Sequence, residues 1–191
     1  EAAVRAKGEK KINNIIGHNF RLGEIECAIG IEQLKKLSDF VKSRQKIANL
    51  LNNGLKDLKG LRVPYVNEGS SHAYYVYPIV LDIKKIGVER KKIIEALIAE
   101  GVEGLMGGYA NIHMLPMYQR KIAYGSNGFP WSSDICKRDV SYEKGICPVA
   151  EELHDNSFLG YEMCLHDLSN QDTSLIIEAF KKVWNNLDEL K

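Results

Sequence analysis

Paired cysteines, clustered histidines, long apolar runs and surplus charge are all missing from this chain. Its four cysteines, Cys27, Cys136, Cys147 and Cys164, form no CxxC pair, and no two of its five histidines stand at zinc-ligand spacing. Scattered cysteines are the pattern of a protein kept reduced, so a cytoplasmic location is expected. A metal site drawn from Cys136, Cys147 and His154 has no spacing to recommend it, and none is expected. No apolar run is long enough for a bilayer and no signal-peptide pattern opens the chain, so no membrane role is expected. Lys and Arg number 26 against 25 Asp and Glu, a net charge of +1. The two signs interleave along the chain, which reads as solvated helix faces and not as a nucleic-acid surface. Internal repeats and low-complexity tracts are also absent.

What remains is ordinary globular composition: 191 residues, 45% hydrophobic and 27% charged, enough for one domain with a core. The chain opens on EAAVRAKGEKK without Met, and is expected to be a piece of a longer protein.

Residues 22–58 carry a helical stripe: Leu22, Ile25 and Ile29, then Leu34, Leu37 and Val41, then Ala48, Leu51, Leu55 and Leu58. That is long for one helix, so a break is expected near Ser38–Asp39 or Ser43, with Gly60 as the stop. HAYYVYPIVLDI (72–83) reads as a strand, with Pro78 placing it at an edge or bulge. Residues 88–100 return to helix, with Ile93, Ile94, Leu97 and Ile98 inward and Gly101 ending it. Val102–Met106 and Phe158–Leu165 are two more strands. Between them, 109–145 is irregular but rich in tyrosine, which predicts a structured loop packed over something. Pro148 opens a short helix to about His154. Ser169 with Asp172 resembles a capping box before a last helix with Ile176, Ile177, Phe180, Val183, Trp184 and Leu187 on one face. Short strands with helices on one side make a small α+β layer fold. Periodicity alone shows no activity.

One stretch asks for more. In GHNFRLGEIECAIGIEQL (17–34) a polar cluster, His18 to Arg21, sits at the mouth of a helix. It is either an ordinary helix start or a grip for an anion. Gly30 lies inside that helix at a cost of about 1 kcal/mol relative to Ala, expected to be returned by close approach of another backbone.

GHNFRLGEIECAIGIEQLKKL resembles a signature of the DegT/DnrJ/StrS-type sugar aminotransferases, which are pyridoxal-phosphate enzymes of the aspartate-aminotransferase fold. Cys27 stands where that family usually has a small residue, and His18 where an aromatic is common. The resemblance continues in SRQKIANLLNNGL, HAYYVYPIVL, ERKKIIEALIAEGVEG, YANIHMLPMY, CPVAEELHD and DTSLIIEAFKKVW, in that order. It therefore covers nearly the whole chain.

The resemblance implies the C-terminal part of such an enzyme. The expected fold is the α+β small domain of a fold-type I aminotransferase: a short, mostly antiparallel sheet with helices packed on it and a long N-terminal helix. Residues 1–21 would continue from a large cofactor domain. Residues 22–191 would form the small domain, with an interface helix at 22–58 and a substrate-side loop at 107–145. The lysine that binds the cofactor lies upstream in the family, so no catalytic residue is expected in this chain, and the chain alone is expected to be inactive. Lys7, Lys10 and Lys11 sit on a charged segment that is expected to be exposed, which makes them poor candidates for a reactive lysine.

The resemblance assigns Asn19 to the phosphate of pyridoxal phosphate bound in the neighbouring subunit of a homodimer, with Arg21 close by. An Asn amide and an Arg fork are suitable donors to a phosphate dianion. It assigns His113, in Y-x-x-x-H-x-x-P-x-Y, to a loop over the substrate, with Tyr109 and His72 as further substrate contacts. Tyr118 and Tyr74 are weaker candidates. The partners implied are a keto sugar and an amino donor, glutamate or glutamine. YGSNGFPW is read as an element of substrate choice. Two other readings stay open: a non-catalytic homologue acting as an interaction or regulatory module, and a stand-alone α+β binding domain.

Overall fold

The fold is organised by one strand, β2 (Tyr77–Leu81), whose side chains alternate: Tyr77, Ile79 and Leu81 are buried, Pro78 and Val80 half-buried. That is the period-two pattern of a strand with one face on a core. The computed structural model describes residues 23–122, 124–125 and 127–191. Of these, the residues up to Gly107 and from Asn156 onward form one compact unit, and Gly108–Asp155 forms a second.

In the first unit, β2 lies in a four-stranded sheet with β1 (Leu61–Arg62), β3 (Leu105–Met106) and β4 (Phe158–Tyr161), in the order β1-β2-β4-β3. Every pairing is antiparallel, with Leu61 opposite Leu81, Tyr77 opposite Tyr161, and Leu105 also opposite Tyr161. The α+β class with a mostly antiparallel sheet is as expected. The strands are shorter than the sequence implies, and β1 was not foreseen, since two residues carry no periodicity. β2 is an inner strand and not an edge. Pro78 is tolerated there because β1 reaches just Val80 and Leu81, leaving Pro78 paired on one side, opposite Gly160.

The expected stripe over 22–58 is two helices, α1 (Glu24–Leu34) and α2 (Leu37–Leu55). They part at Lys35–Lys36, where the Lys36 N–H donates to the Gln33 carbonyl at 3.0 Å, and not at Ser38–Asp39 or Ser43. Helix α2 stops at Leu55, and Gly60 lies in the turn leading to β1. α1 buries none of its residues, while α2 buries Ile47, Ala48, Leu51 and Leu55. No described atom lies within 4 Å of a Cβ built on Gly30, so the close approach expected there is not found among the described residues.

A short turn of helix, α3 (Ile83–Ile86), leads to α4 (Arg90–Ala99), which buries Ile93 and Leu97. Ile98, expected inward, is 54% exposed. The buried stripe follows the i, i+4 pair Ile93–Leu97 and leaves Ile94 and Ile98 one position round the helix. The capping box of the last long helix, α7 (Asn170–Asn185), forms as the sequence implies. The Ser169 hydroxyl accepts from the Asp172 N–H at 3.1 Å, and the Ser169 N–H donates to the Asp172 carboxylate at 2.9 Å. The Ser169 hydroxyl and N–H hold the Asp172 carboxyl below its ordinary value. α7 buries Thr173, Ala179, Phe180, Val183 and Trp184 and packs on α2 and α4. Its Trp184 Nε1 donates to the Lys59 carbonyl at 2.9 Å, tying the helix to the turn after α2. At the α2–α7 crossing, a Cβ on Gly54 would fall 2.6 to 2.8 Å from three side-chain carbons of Ile177, so only glycine fits that close approach. No helix among the described residues is long and apolar enough to cross a membrane.

Candidate functional site

The second unit contains the stretch 109–145 expected to be irregular, together with the short helix after it, and its contacts gather around one histidine. Asn111, Ile112, His113 and Met114 enter a single 3-10 turn over Ile112–Met114. Pro116 then starts a four-residue helix, α5 (Pro116–Gln119), and Leu115 before it is extended, as a residue preceding proline prefers. Gln119, at the end of α5, folds back: its amide donates to the His113 carbonyl at 2.8 Å and also to the Tyr142 carbonyl. One side chain thus pins the histidine turn to the far side of the loop.

His113 has a partner that the sequence reading missed. Its Nε2 lies 2.9 Å from Oε1 of Glu151, on α6 (Pro148–Glu152), and both side chains are about nine-tenths buried, with 10% and 8% exposed. Glu151 also accepts from the backbone N–H of Gly145 at 2.8 Å and of Cys147 at 3.2 Å. Gly145 takes φ +106, which brings its N–H onto the carboxylate and which a side chain would strain. Burial pushes the Glu151 carboxyl up, but the Gly145 and Cys147 N–H groups and the His113 ring outweigh it and hold the carboxyl below its ordinary value. Glu151 is therefore an anion at neutral pH, and it fixes the histidine beside it. The motif CPVAEE did hold a signal, since Pro at the first position of a helix with Glu in its first turn marks a start where that carboxylate can take the free N–H groups.

His113 lines a cavity of about 470 Å³ with Ala110, Asn111, Ile112, Tyr118, Tyr142, Cys147 and Ala150. Tyr118 and Tyr142 form its aromatic wall, with ring centroids 5.1 Å apart. Trp131 stands behind them, edge-on to both, and its Nε1 donates to the Tyr142 hydroxyl at 2.9 Å. Trp131 is the last residue of YGSNGFPW, so that stretch reaches the cavity through Tyr142. The lining is mostly apolar with two aromatic rings and one imidazole, a composition suited to a neutral polar ligand with an apolar face.

The sequence-assigned residues are distributed unevenly. His113 lines the cavity. Tyr109 belongs to the same unit, 37% exposed, and is not part of the lining. His72 belongs to the first unit, where its Nδ1 accepts from the Tyr74 N–H at 2.8 Å and its ring lies 4.2 Å from that of Tyr74. Tyr74 itself is buried in that unit's core. Asn19 and Arg21 lie outside the described residues. Among the described residues the cavity lining includes no Lys or Arg. Among the described residues no group of three or more His, Cys, Asp or Glu is arranged to hold a metal.

An α+β chain with a small antiparallel sheet is the kind of fold seen in aminotransferases of known structure. Residues 2–155 match the DegT/DnrJ/EryC1/StrS aminotransferase family, and the chain belongs to that family. The spore coat polysaccharide biosynthesis protein SpsC of Bacillus subtilis is 32% identical over 125 residues, covering 65% of this chain and 32% of SpsC. The GDP-perosamine synthase of Vibrio cholerae is 24% identical over 160 residues, covering 83% of this chain and 42% of that protein. Among solved structures, the aminotransferase TlmJ from Streptoalloteichus hindustanus superposes with a TM-score of 0.61 at 22% identity, over 90% of this chain and 39% of TlmJ. A DegT DnrJ EryC1 StrS aminotransferase from Brucella abortus gives 0.58 at 26% identity, over 97% of this chain and 42% of that one. The chain spans under half the length of these relatives.

Proposed function

We propose that this chain carries the C-terminal part of a pyridoxal-phosphate-dependent aminotransferase, which moves an amino group from glutamate or glutamine to a keto sugar, nucleotide-linked, in amino-sugar biosynthesis. The active form is a homodimer with shared sites, in the cytoplasm. The observation that carries this reading is the buried His113–Glu151 pair on the wall of an aromatic-lined cavity, in a chain of this family. Relatives named as GDP-perosamine synthase and as L-glutamine:2-deoxy-scyllo-inosose aminotransferase support the sugar-like substrate class.

In this reading the bound cofactor supplies the electron sink. The chain's own residues do the rest. Asn19 and Arg21 donate to the cofactor phosphate of the partner subunit. His113 orients the substrate at its ring nitrogen. The Tyr118–Tyr142 wall and Ile112 cover an apolar sugar face and keep water from it. The cofactor-binding lysine belongs to the part of the enzyme upstream of this chain, and the 191-residue chain alone turns nothing over.

The test is the visible spectrum of the full-length protein before and after adding glutamate or glutamine. A yellow protein whose absorption shifts on adding the donor is expected, and Asn19→Ala should release cofactor on dialysis faster than the wild type. A colourless protein that gains no band with added pyridoxal phosphate would overturn the reading in favour of a non-catalytic homologue. Turnover by the 191-residue chain with cofactor and donor would overturn the placement of the lysine.

A further inference from the structure

Glu151 shares its charge between one imidazole edge and two backbone N–H groups. His113 meets its surroundings through two nitrogens, and Nε2 is committed to the Glu151 carboxylate at 2.9 Å. Both oxygens of that carboxylate accept from the Gly145 N–H, and Oε1 accepts from Cys147 as well, so Glu151 is held from three sides and the ring turns to suit it. A carboxylate with a depressed titration range is an acceptor, so the proton of the pair sits on Nε2. In the neutral ring the lone pair is then on Nδ1. Nδ1 makes no hydrogen bond among the described residues, and His113 lines the cavity, so Nδ1 is the polar atom left to meet an occupant.

We propose that Glu151 is a positioning residue that fixes Nε2 as the protonated nitrogen of His113, and that Nδ1 thereby presents an acceptor to a hydroxyl of an uncharged sugar ring. The cavity around it agrees with that ligand class. Among the described residues the lining has no cation to draw a phosphate or carboxylate, and the Tyr118 and Tyr142 rings offer faces for the C–H side of a sugar. The ligand class rests on the aminotransferase reading above; the assignment of the nitrogens rests on the pair alone.

The experiment is nitrogen-resolved NMR of the histidine rings at mildly alkaline pH, with His113 identified by the signal missing in His113→Asn. The wild type is expected to show a low-field, exchange-protected proton on Nε2 and none on Nδ1. Adding methyl α-D-glucopyranoside at molar concentration should move the Nδ1 nitrogen, and sodium phosphate at the same concentration should leave it. In Glu151→Gln the acceptor is neutral and the Nε2 proton should lose its low-field position, a change that a purely structural glutamate would not produce. A proton on Nδ1, or an unmoved Nε2 proton in Glu151→Gln, overturns the positioning role. An Nδ1 that follows phosphate, or neither addition, overturns the ligand class. These outcomes are separable from the function test: a colourless full-length enzyme defeats the transaminase reading and leaves the nitrogen assignment standing.

Discussion

Gly54→Ala sets two opposed effects against each other at one position. Alanine inside α2 removes the glycine penalty, worth about 1 kcal/mol in favour of the helix. The new Cβ, however, would meet Cδ1, Cγ2 and Cγ1 of Ile177 at 2.6, 2.7 and 2.8 Å. Cδ1 alone could swing away, but Cγ1 and Cγ2 are the two arms of a β-branched residue held near one χ1 rotamer in a helix. The helices α2 and α7 must therefore separate, an overpacking cost of about 1–3 kcal/mol. The net expectation is a loss of about 1 kcal/mol, read as a shifted urea midpoint at constant m-value in far-UV circular dichroism. For a chain of this size that lowers Tm by about 2–4 °C. Ile177→Ala removes all three carbons, so in that background Gly54→Ala should stabilise by about 1 kcal/mol, a reversal of sign and a coupling of about 2 kcal/mol. Gly54→Ala that stabilises the wild type, or costs the same in both backgrounds, would refute the account of the crossing.

Three further outcomes follow from the described contacts. Trp184→Phe keeps the stack on Phe180, 5.9 Å away, but loses the bond to the Lys59 carbonyl, and should cost about 1 kcal/mol by urea denaturation. With Trp184 gone, Trp131 is the single tryptophan, and its emission, excited beyond the tyrosine band, reports on the second unit alone. Its emission should change on acidification, because the Glu151 carboxyl is depressed in the folded chain: its stabilisation is complete above the unfolded value of about 4.3 and lost as pH falls through the lower folded one. Glu151→Gln should flatten that acid transition, and a transition of the same size in the variant would refute the assignment. Gln119→Leu severs the links to the His113 and Tyr142 carbonyls and should expose Trp131 to added iodide, with no change in the urea midpoint of the sheet followed by far-UV circular dichroism.

The last helix was legible in the sequence because its stripe and its capping box say the same thing: Phe180, Val183 and Trp184 bury, and Ser169 with Asp172 caps. The first helix was not. α1 buries nothing among the described residues, so its apolar stripe has no packing to mark where it stops, and Lys35–Lys36 carries no breaker. His113 was singled out by its motif. Glu151 was not, because it stands far along the chain from His113 and its other donors are backbone N–H groups, whose direction depends on a turn at Gly145 and not on residue type. Pro78 misled for a related reason: its tolerance depends on the length of a neighbouring strand that leaves no trace in periodicity.

The pairing order of the sheet has a consequence during synthesis. β4 is the strand that joins β2 to β3, yet it is made last of the four, after the whole of Gly108–Asp155. At about 5–20 residues per second, roughly 4 to 15 s pass between the emergence of β2 and that of β4. Through that interval Tyr77, Ile79 and Leu81 have neither β4 nor the Phe180 face of α7 to cover them. The nascent chain thus carries an apolar strand awaiting its partner while the histidine-bearing segment is still being made. Chaperone demand should therefore peak on ribosomes stalled within that segment, and fall once Tyr161 and Trp184 have cleared the exit tunnel.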